Sequence, residues 1–276
     1  MIVDYHLHLR PDGEHLDASA YEPQHLAAYA VAAEARGVAE LAITEHVYRF
    51  AAAAPLSAHI FWRENAVDDL GLYVAGLAAA RDAGLPILIG LELDWLGEAA
   101  AGDVAALAAA HAFDVVLGSV HWHGAEAFDH PDYAIWDTHP VEQVWRLYVD
   151  AVCAAAGSGI YDVMAHPDLA KVFGHRPSEE LERELGAQVA EAFRAAGVAA
   201  EISSAGLRKA AGDVYPSEIW LEELRAADVP ITLGSDAHRP EDAGVGLDRC
   251  LRSAREAGYA SLVRFRARER EAVPLG

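Results

Sequence analysis

Short apolar runs alternate with longer amphipathic stretches along the chain. Seven apolar runs have the length of a strand: Ile2–His8, Glu40–Thr44, Ile87–Glu92, Asp114–His121, Tyr161–His166, Val198–Ser203 and Ile231–Ser235. The spacing of apolar residues between them predicts helices at Pro23–Arg36, Ala66–Ala83, Val104–His111, Val141–Ala156, Ser178–Ala196, Ser217–Ala227 and Pro240–Ala257. This alternation is typical of parallel strands covered by helices, and seven strands are one fewer than an eight-stranded barrel has.

Glycine and proline lie at the joints between these elements. Gly37 and Gly197 come directly before predicted strands, where helix C-caps belong, and Pro23 and Pro240 suit helix starts. The chain shows no linker, low-complexity tail or internal repeat. We therefore expect a single domain over residues 1–276.

Composition and charge exclude several classes of protein. The 276 residues are 53% hydrophobic and 23% charged, enough for a packed core and against a disordered chain. The 43 acidic residues outnumber the 21 basic ones, and a net charge of −22 disfavours nucleic acid as a partner. No apolar run reaches the roughly 20 residues of a membrane span. With no signal segment and only two distant cysteines, Cys153 and Cys250, we expect a cytoplasmic protein; its oligomeric state is left open.

Histidines and carboxylates gather where the predicted strands end. All seven strand ends carry them, at His6 and His8, Glu45-His46, Glu92, His121, His166, Glu201, and Asp236 with His238. The carboxyl ends of parallel barrel strands meet on one face, and imidazole with carboxylate suits Zn, Mn or Fe. A lone histidine is usually structural, but accident at every strand end is implausible. The placement predicts a metal site.

Spacing adds detail at both ends of the chain. His6 and His8 are two residues apart, so on a strand both side chains point to the same side and both can bind one ion. Asp236 and His238 repeat this spacing where the backbone is leaving its strand. We expect them to diverge onto different ions.

These residues, in order, resemble a known family. The set His6-x-His8, Thr44-Glu45-His46, Glu92, Ser119-Val120-His121, His166-Pro167-Asp168 and Ser235-Asp236-Ala237-His238 is similar to the PHP (polymerase and histidinol phosphatase) superfamily. Within it, Gly90–Trp95, Gly118–His121 and Ser203–Lys209 resemble histidinol-phosphate phosphatases most. The resemblance implies a distorted (β/α)7 barrel, in agreement with the independent strand count.

The resemblance also implies two or three divalent metal ions, Zn, Mn or Fe. Carried over by position, the ligands of the first ion are His6, His8, Glu92 and Asp236, and those of the second are the bridging Glu92 with His121 and His166. His46 and His238 hold the third ion with one ligand from the loop after His8. In that loop the chain departs from the family pattern, and Asp12 and His15 are both candidates; Glu14 is a third possibility.

The activity implied is hydrolysis of a small phosphorylated metabolite, with L-histidinol phosphate as the expected substrate. Glu92, Asp236 and His238 are the predicted catalytic residues. Arg208 offers a planar fork that matches phosphate oxygens, with Lys171 as a weaker candidate. His123 lies two residues after His121, which predicts that both share one face, so it is a candidate substrate contact. Asp94 or Glu201 could bind a substrate amine.

Several alternatives stay open. The metal ligands alone are compatible with a phosphatase or phosphodiesterase for another small phosphate, such as a nucleotide. A nuclease is disfavoured by the charge; a phosphotyrosine phosphatase, an amidohydrolase and a binding module without activity are further alternatives.

Overall fold

The computed structural model describes residues 1–11 and 18–275. In chain order its strands are β1 (Ile2–Asp4), β2 (Val38–Ile43), β3 (Ile87–Asp94), β4 (Val115–Ser119), β5 (Trp122–His123), β6 (Glu126–Ala127), β7 (Val163–Met164), β8 (Ala199–Ser203), β9 (Ile231–Gly234), β10 (Ser261–Arg266) and β11 (Glu269–Pro274). Seven of them pair in parallel in the order β1-β2-β3-β4-β7-β8-β9. β5 and β6 form a small antiparallel hairpin, as do β10 and β11.

The two edges of the seven-stranded sheet meet. The Tyr5 N–H donates to Leu233 O at 2.9 Å, and the His8 N–H donates to Ala237 O at 2.7 Å. These bonds join the segment after β1 to β9 and the residues that follow it. The sheet is thereby a nearly closed barrel, which confirms the predicted (β/α)7 fold.

Helices flank the barrel. They are α1 (Pro23–Glu34), α2 (Ile60–Asn65), α3 (Leu70–Asp82), α4 (Ala101–Ala109), α5 (Val141–Gly157), α6 (Glu179–Ala196), α7 (Glu218–Ala226) and α8 (Leu247–Glu256). Among the described residues, no helix combines the length and apolar character that crossing a bilayer requires. Seven of these helices match the predicted ones, and α2 was not predicted.

Two helices begin later than the sequence pattern predicted. α3 begins at Leu70 rather than Ala66, because the Asp69 side chain caps it by accepting the Leu72 N–H at 2.9 Å. α8 begins at Leu247 rather than Pro240. The φ angles of Gly244 and Gly246, 75° and 79°, are incompatible with a helix and separate it from a short 3-10 turn.

The helices over one side of the barrel pack through large aromatic side chains. Trp145 of α5 and Trp220 of α7 are fully buried, with ring centroids 6.0 Å apart in an edge-on arrangement. The Trp220 indole N–H donates to the carbonyl of Glu182 in α6 at 2.9 Å. This packing fixes the three helices against each other.

The hairpin β10–β11 lies at the end of the barrel where the strands begin. Its turn residues Ala267 and Arg268 have positive φ angles of 47° and 67°. The Ala267 N–H donates to Asp114 Oδ1 at 3.2 Å, and Arg268 Nε donates to Asp162 Oδ2 at 2.9 Å. Asp114 and Asp162 come directly before β4 and β7, so the hairpin braces the end opposite the candidate ligands.

Candidate metal centre

The structure brings eight of the predicted ligands together where the barrel strands end. Their nitrogen and oxygen atoms form four groups that could hold a metal ion, each with all ligand atoms within 4.8 Å of one another. The groups are His6–His8–Glu92, His6–His166–Asp236, His46–Glu92–His121 and His8–His46–His238. The other two predicted ligands, Asp12 and His15, lie outside the described residues, as does Glu14.

Glu92 of β3 lies at the centre of this cluster. Its Oε1 atom is 3.3 Å from His166 Nε2 and 3.6 Å from His121 Nε2. Its Oε2 atom is 3.5 Å from His6 Nε2 and 3.6 Å from His8 Nε2. Oε2 also lies 2.5 Å from His46 Nδ1. Each carboxylate oxygen therefore faces its own set of imidazoles, which is the arrangement expected of a carboxylate shared by two ions.

The residues present fit metal ions. The Nε2 atoms of His6 and His8 are buried and have no hydrogen-bond partner. They lie 3.9 Å and 3.3 Å from Asp236 Oδ1. Two donor atoms that each lie about 2.0–2.2 Å from one ion are separated by roughly 3–4 Å. The distances from these two Nε2 atoms to Asp236 Oδ1 are therefore those of ligands that converge on one ion, and they are longer than typical hydrogen bonds.

Carboxylates behind the imidazoles set their orientation. His6 Nδ1 lies 2.9 Å from Glu201 Oε1, and His121 Nδ1 lies 2.7 Å from Asp94 Oδ1. An imidazole that donates its Nδ1–H to a carboxylate keeps the Nε2 lone pair for a metal. These contacts correct the suggestion that Asp94 or Glu201 binds a substrate amine. A signal existed for Asp94, since it lies two residues after Glu92 on one strand and so shares its face.

His8 is oriented in the same way by Glu45. Its Nδ1 lies 3.2 Å from Glu45 Oε1, which also accepts from Arg49 Nη1 at 2.7 Å. Burial alone would raise the pKa of Glu45, but Arg49 and His8 outweigh burial and hold the pKa far below its usual value. Glu45 is therefore a permanent acceptor for the His8 ring.

Two candidate ligands occupy strained backbone. His166 has a φ of 27° and Asp236 a φ of 52°, in the region that side chains other than glycine rarely adopt. The Asp236 N–H donates to His6 O at 2.7 Å, which holds the segment in place. Gly234, two residues before Asp236, is required for space: a Cβ there would lie 1.8 Å from Glu201 Oε1.

Burial and neighbouring charge oppose each other at the cluster. Burial alone would raise the pKa of Glu92, but His46, His6 and His121 hold it well below its ordinary value. Burial, together with the charge of His8, lowers the pKa of His46 to about 3. Glu92 is thus ionised and His46 neutral at physiological pH, the protonation states that metal ligands require.

Three cavities surround the cluster. The aromatic cavity, of about 300 Å³, is lined by His46, Tyr48, Phe61, Asn65, His121, Trp122, Asp129 and His130. The basic cavity, of about 250 Å³, is lined by Pro11, Ala205, Arg208, Lys209, Asp236, His238 and Asp242. A central cavity of about 90 Å³ lies over the cluster; it shares Asp129 with the aromatic cavity, and Lys209 and His238 with the basic one.

Two cationic side chains line the basic cavity: Arg208, which the sequence predicts as a phosphate contact, and Lys209, which it did not single out. Arg208 Nη2 donates to the carbonyls of Ser235 at 2.6 Å and Asp236 at 3.1 Å, which places the guanidinium at the rim. Lys209 lines both the basic and the central cavity. Lys209 follows Arg208 directly and comes soon after the end of β8, and this position in the sequence could have identified it as a candidate phosphate contact.

Two predicted substrate contacts lie elsewhere. Lys171 is fully buried, and its Nζ donates to Asp168 Oδ2 and Val214 O, both at 2.7 Å. It forms an internal ion pair, so the predicted contact with phosphate is wrong. His123 is exposed in β5 and lines a separate cavity with Trp95, because the chain turns after β4 and does not extend that strand. It does not share the face of His121 as predicted.

Comparison with known proteins assigns the family. The sequence model of the PHP domain matches residues 6–205, well over half of the chain. The chain belongs to the PHP family. A relative from Deinococcus radiodurans named "Probable histidinol-phosphatase" is 30% identical over 245 residues, which cover 87% of this chain and 90% of the relative. This likeness assigns the chain to the histidinol-phosphatase branch of the PHP family.

Two further known proteins are similar to this chain. The histidinol-phosphatase of Bacillus subtilis is 30% identical over 118 residues, 40% of this chain and 44% of the relative. A crystal structure of histidinol phosphate phosphatase from Lactococcus lactis, complexed with zinc, L-histidinol and phosphate, superposes with a TM-score of 0.78. It covers 98% of both chains at 20% identity, and supports the fold.

Proposed function

We propose that this PHP protein is a metal-dependent phosphatase that converts L-histidinol phosphate and water to L-histidinol and phosphate, a step of histidine biosynthesis. The observation that carries the proposal is the spatial arrangement of the cavities. The ligand cluster lies between the aromatic cavity and the basic cavity. A phosphate ester with a flat, cationic leaving group fits this order. The Deinococcus radiodurans relative, matched over most of both chains, supports the same activity.

The chain's own residues supply ligands for two or three divalent ions, Zn, Mn or Fe. We assign His6, His8, Glu92 and Asp236 to the first ion, and Glu92, His121 and His166 to the second. The grouping of His46 and His238 with His8 supports their assignment to a third. When bound, such ions polarise the phosphoryl group and lower the pKa of a bound water towards neutrality. Glu92 and Asp236 act by holding them.

Arg208 and Lys209 bind the phosphoryl group in this proposal. Arg208 is anchored through Nη2, and the described part of the chain offers no partner for its Nη1 or Nε. A planar guanidinium with two donors available matches two phosphate oxygens. Lys209 adds a second cation on the wall of the central cavity, where an acidic chain otherwise provides few.

The aromatic cavity receives the leaving group. Tyr48, Phe61 and Trp122 offer ring faces to a flat imidazole. Asp129 lies where the aromatic and central cavities meet, so its carboxylate is placed to bind the primary ammonium of histidinol. The ester bond then lies over the cluster, with phosphate towards Arg208 and the amine towards Asp129.

A phosphate-release assay tests the proposal. Purified protein supplied with Mn, Zn or Fe is given L-histidinol phosphate, p-nitrophenyl phosphate and a nucleotide monophosphate. We expect kcat/KM to be highest for L-histidinol phosphate. A strong preference for the nucleotide, or no preference over the generic ester, would refute the substrate while leaving the phosphatase chemistry in place. The single domain, the cytoplasmic location and the lack of nucleic-acid and membrane partners stay predictions from the sequence.

A further inference from the structure

We propose that Glu201 is a positioning residue that couples the first two metal ions by holding His6 and His166 at the same time. Glu201 lies in β8 and is buried, with 1% of its surface exposed. It belongs to none of the four candidate ligand groups. The inference rests on the proposed metal site but is independent of which phosphate ester is the substrate.

The two oxygens of Glu201 have different partners. Oε1 lies 2.9 Å from His6 Nδ1, and Oε2 accepts the backbone N–H of His166 at 2.7 Å. His6 follows β1 and His166 follows β7. His6 Nε2 lies 3.5 Å from Glu92 Oε2 and His166 Nε2 lies 3.3 Å from Glu92 Oε1, so we assign them to the first and the second ion on opposite oxygens of the shared carboxylate. The carboxylate of Glu201 therefore joins ligands of both ions, which come from distant parts of the chain.

His166 depends on its backbone for orientation. Unlike His6, it has no hydrogen-bond partner at Nδ1, although that atom is buried. Its carbonyl accepts from the Tyr148 hydroxyl at 3.2 Å and from the Leu169 N–H at 2.9 Å, and its N–H is held by Glu201. With φ at 27°, the residue occupies a strained conformation that the surroundings must maintain. Loss of the Glu201 bond removes the anchor at the His166 N–H and leaves only the two at its carbonyl.

The arrangement requires a carboxylate rather than an amide. Both oxygens of Glu201 accept hydrogen bonds from N–H groups. A glutamine offers one acceptor and one donor, so a donor would face either His6 Nδ1–H or the His166 N–H. The substitution Glu201→Gln keeps the shape of the side chain but can accept from only one of the two N–H groups. The amide must shift away from the donor opposed to it, so its bond to the other ligand weakens as well.

Asp94 provides a matched control. Its Oδ1 lies 2.7 Å from His121 Nδ1, and its Oδ2 is buried without a hydrogen-bond partner. Asp94→Asn makes the same change from carboxylate to amide but affects a ligand of only one ion. Comparing the two variants separates coupling of two ions from simple support of one.

The test measures metal binding without substrate. Metal-free wild type, Glu201→Gln and Asp94→Asn are titrated with Zn²⁺ by calorimetry and with Co²⁺ by its visible absorption. Because partners of metal-bound histidines typically contribute about 10–100-fold in affinity, we expect Glu201→Gln to weaken the first two ions each by that factor. Asp94→Asn should weaken one ion and leave the other at wild-type affinity. The melting temperature of the metal-free variants is measured in parallel.

Clear results would overturn the inference. If Glu201→Gln binds both ions with wild-type affinity, Glu201 has no coupling role. The same holds if the variant loses affinity for only one of the two ions. A lower melting temperature of metal-free Glu201→Gln with unchanged metal affinities would make Glu201 a merely structural residue. A wild type that binds two ions but fails on L-histidinol phosphate would refute the proposed substrate and leave this inference standing. A wild type that binds fewer than two ions would refute both.

Discussion

The Nη2 atom of Arg208 lies 2.6 Å from the carbonyl oxygen of Ser235, the residue before the candidate ligand Asp236. The guanidinium is thereby fastened to the segment that carries a ligand of the metal cluster. This anchor limits the freedom that Arg208 would lose on binding phosphate, and it ties the position of the cation to that of Asp236.

Arg208→Ala is expected to raise KM by about one to two decades, since a charge-assisted contact with phosphate contributes roughly 1.5–3 kcal/mol. Arg208→Lys should restore only part of the loss, because an ammonium lacks the planar fork. Steady-state kinetics of both variants check this. A KM that stays at the wild-type value in Arg208→Ala would exclude a phosphate contact.

Glu92→Gln is expected to abolish turnover while the fold survives. Each oxygen of Glu92 faces its own set of imidazoles, so a neutral amide weakens the ligand sets of two ions together. Elemental analysis and circular dichroism should show less metal in a folded protein. Asp236→Asn is the paired variant for the first ion alone. Retained activity with two bound ions would disprove the bridging role.

Asp129→Asn is expected to act on one substrate selectively. If the carboxylate binds the ammonium of histidinol, its loss raises KM for L-histidinol phosphate by about tenfold or more. KM for p-nitrophenyl phosphate, which has no amine, should change little. Asp132→Asn removes the same charge from an exposed position outside the three cavities and is the control. Equal effects of Asp129→Asn on both esters would contradict the assignment.

Metal binding is expected to release protons and to tighten as pH rises. Burial alone would lower the pKa of His6, but Glu201, Glu92 and Asp236 raise it well above the usual value; Asp94 does the same at His121. Without metal both imidazoles are therefore in the doubly protonated, cationic form at neutral pH, and a metal ion that binds Nε2 must displace the proton there. Calorimetry in buffers of different ionisation enthalpy measures the protons released. A metal affinity that decreases from pH 6 to pH 8 would contradict this prediction.

The sequence predicted the ligand cluster well because strand ends in a parallel barrel are defined by the alternation of elements. Apolar runs located β1, β3 and β9, and their carboxyl ends must meet. It failed at Lys171 because nothing in the local pattern shows that Asp168, three residues earlier, turns inward to pair with it. Glu201 was noticed at its strand end, but its partners lie on other strands and only the packed barrel reveals them.

The C-terminal hairpin was missed for a different reason. Charged and apolar side chains alternate only over residues 264–268, and the turn Ala267-Arg268 contains no glycine or asparagine to mark it. Its left-handed conformation is maintained by bonds to Asp114 and Asp162, which are far away in sequence. Local propensity cannot predict an element that such distant contacts stabilise.

The joint between the first and last barrel strands has a consequence for biosynthesis. His6 O accepts from Asp236 N, and His8 N donates to Ala237 O, so the ligands at the two ends of the sheet meet along this joint. On the ribosome, residues 6 and 8 emerge more than two hundred residues before 236 and 238. A nascent chain thus carries an incomplete set of ligands for the first ion until Asp236 has been synthesised, and that set comes together only when β9 and the residues after it join the segment after β1.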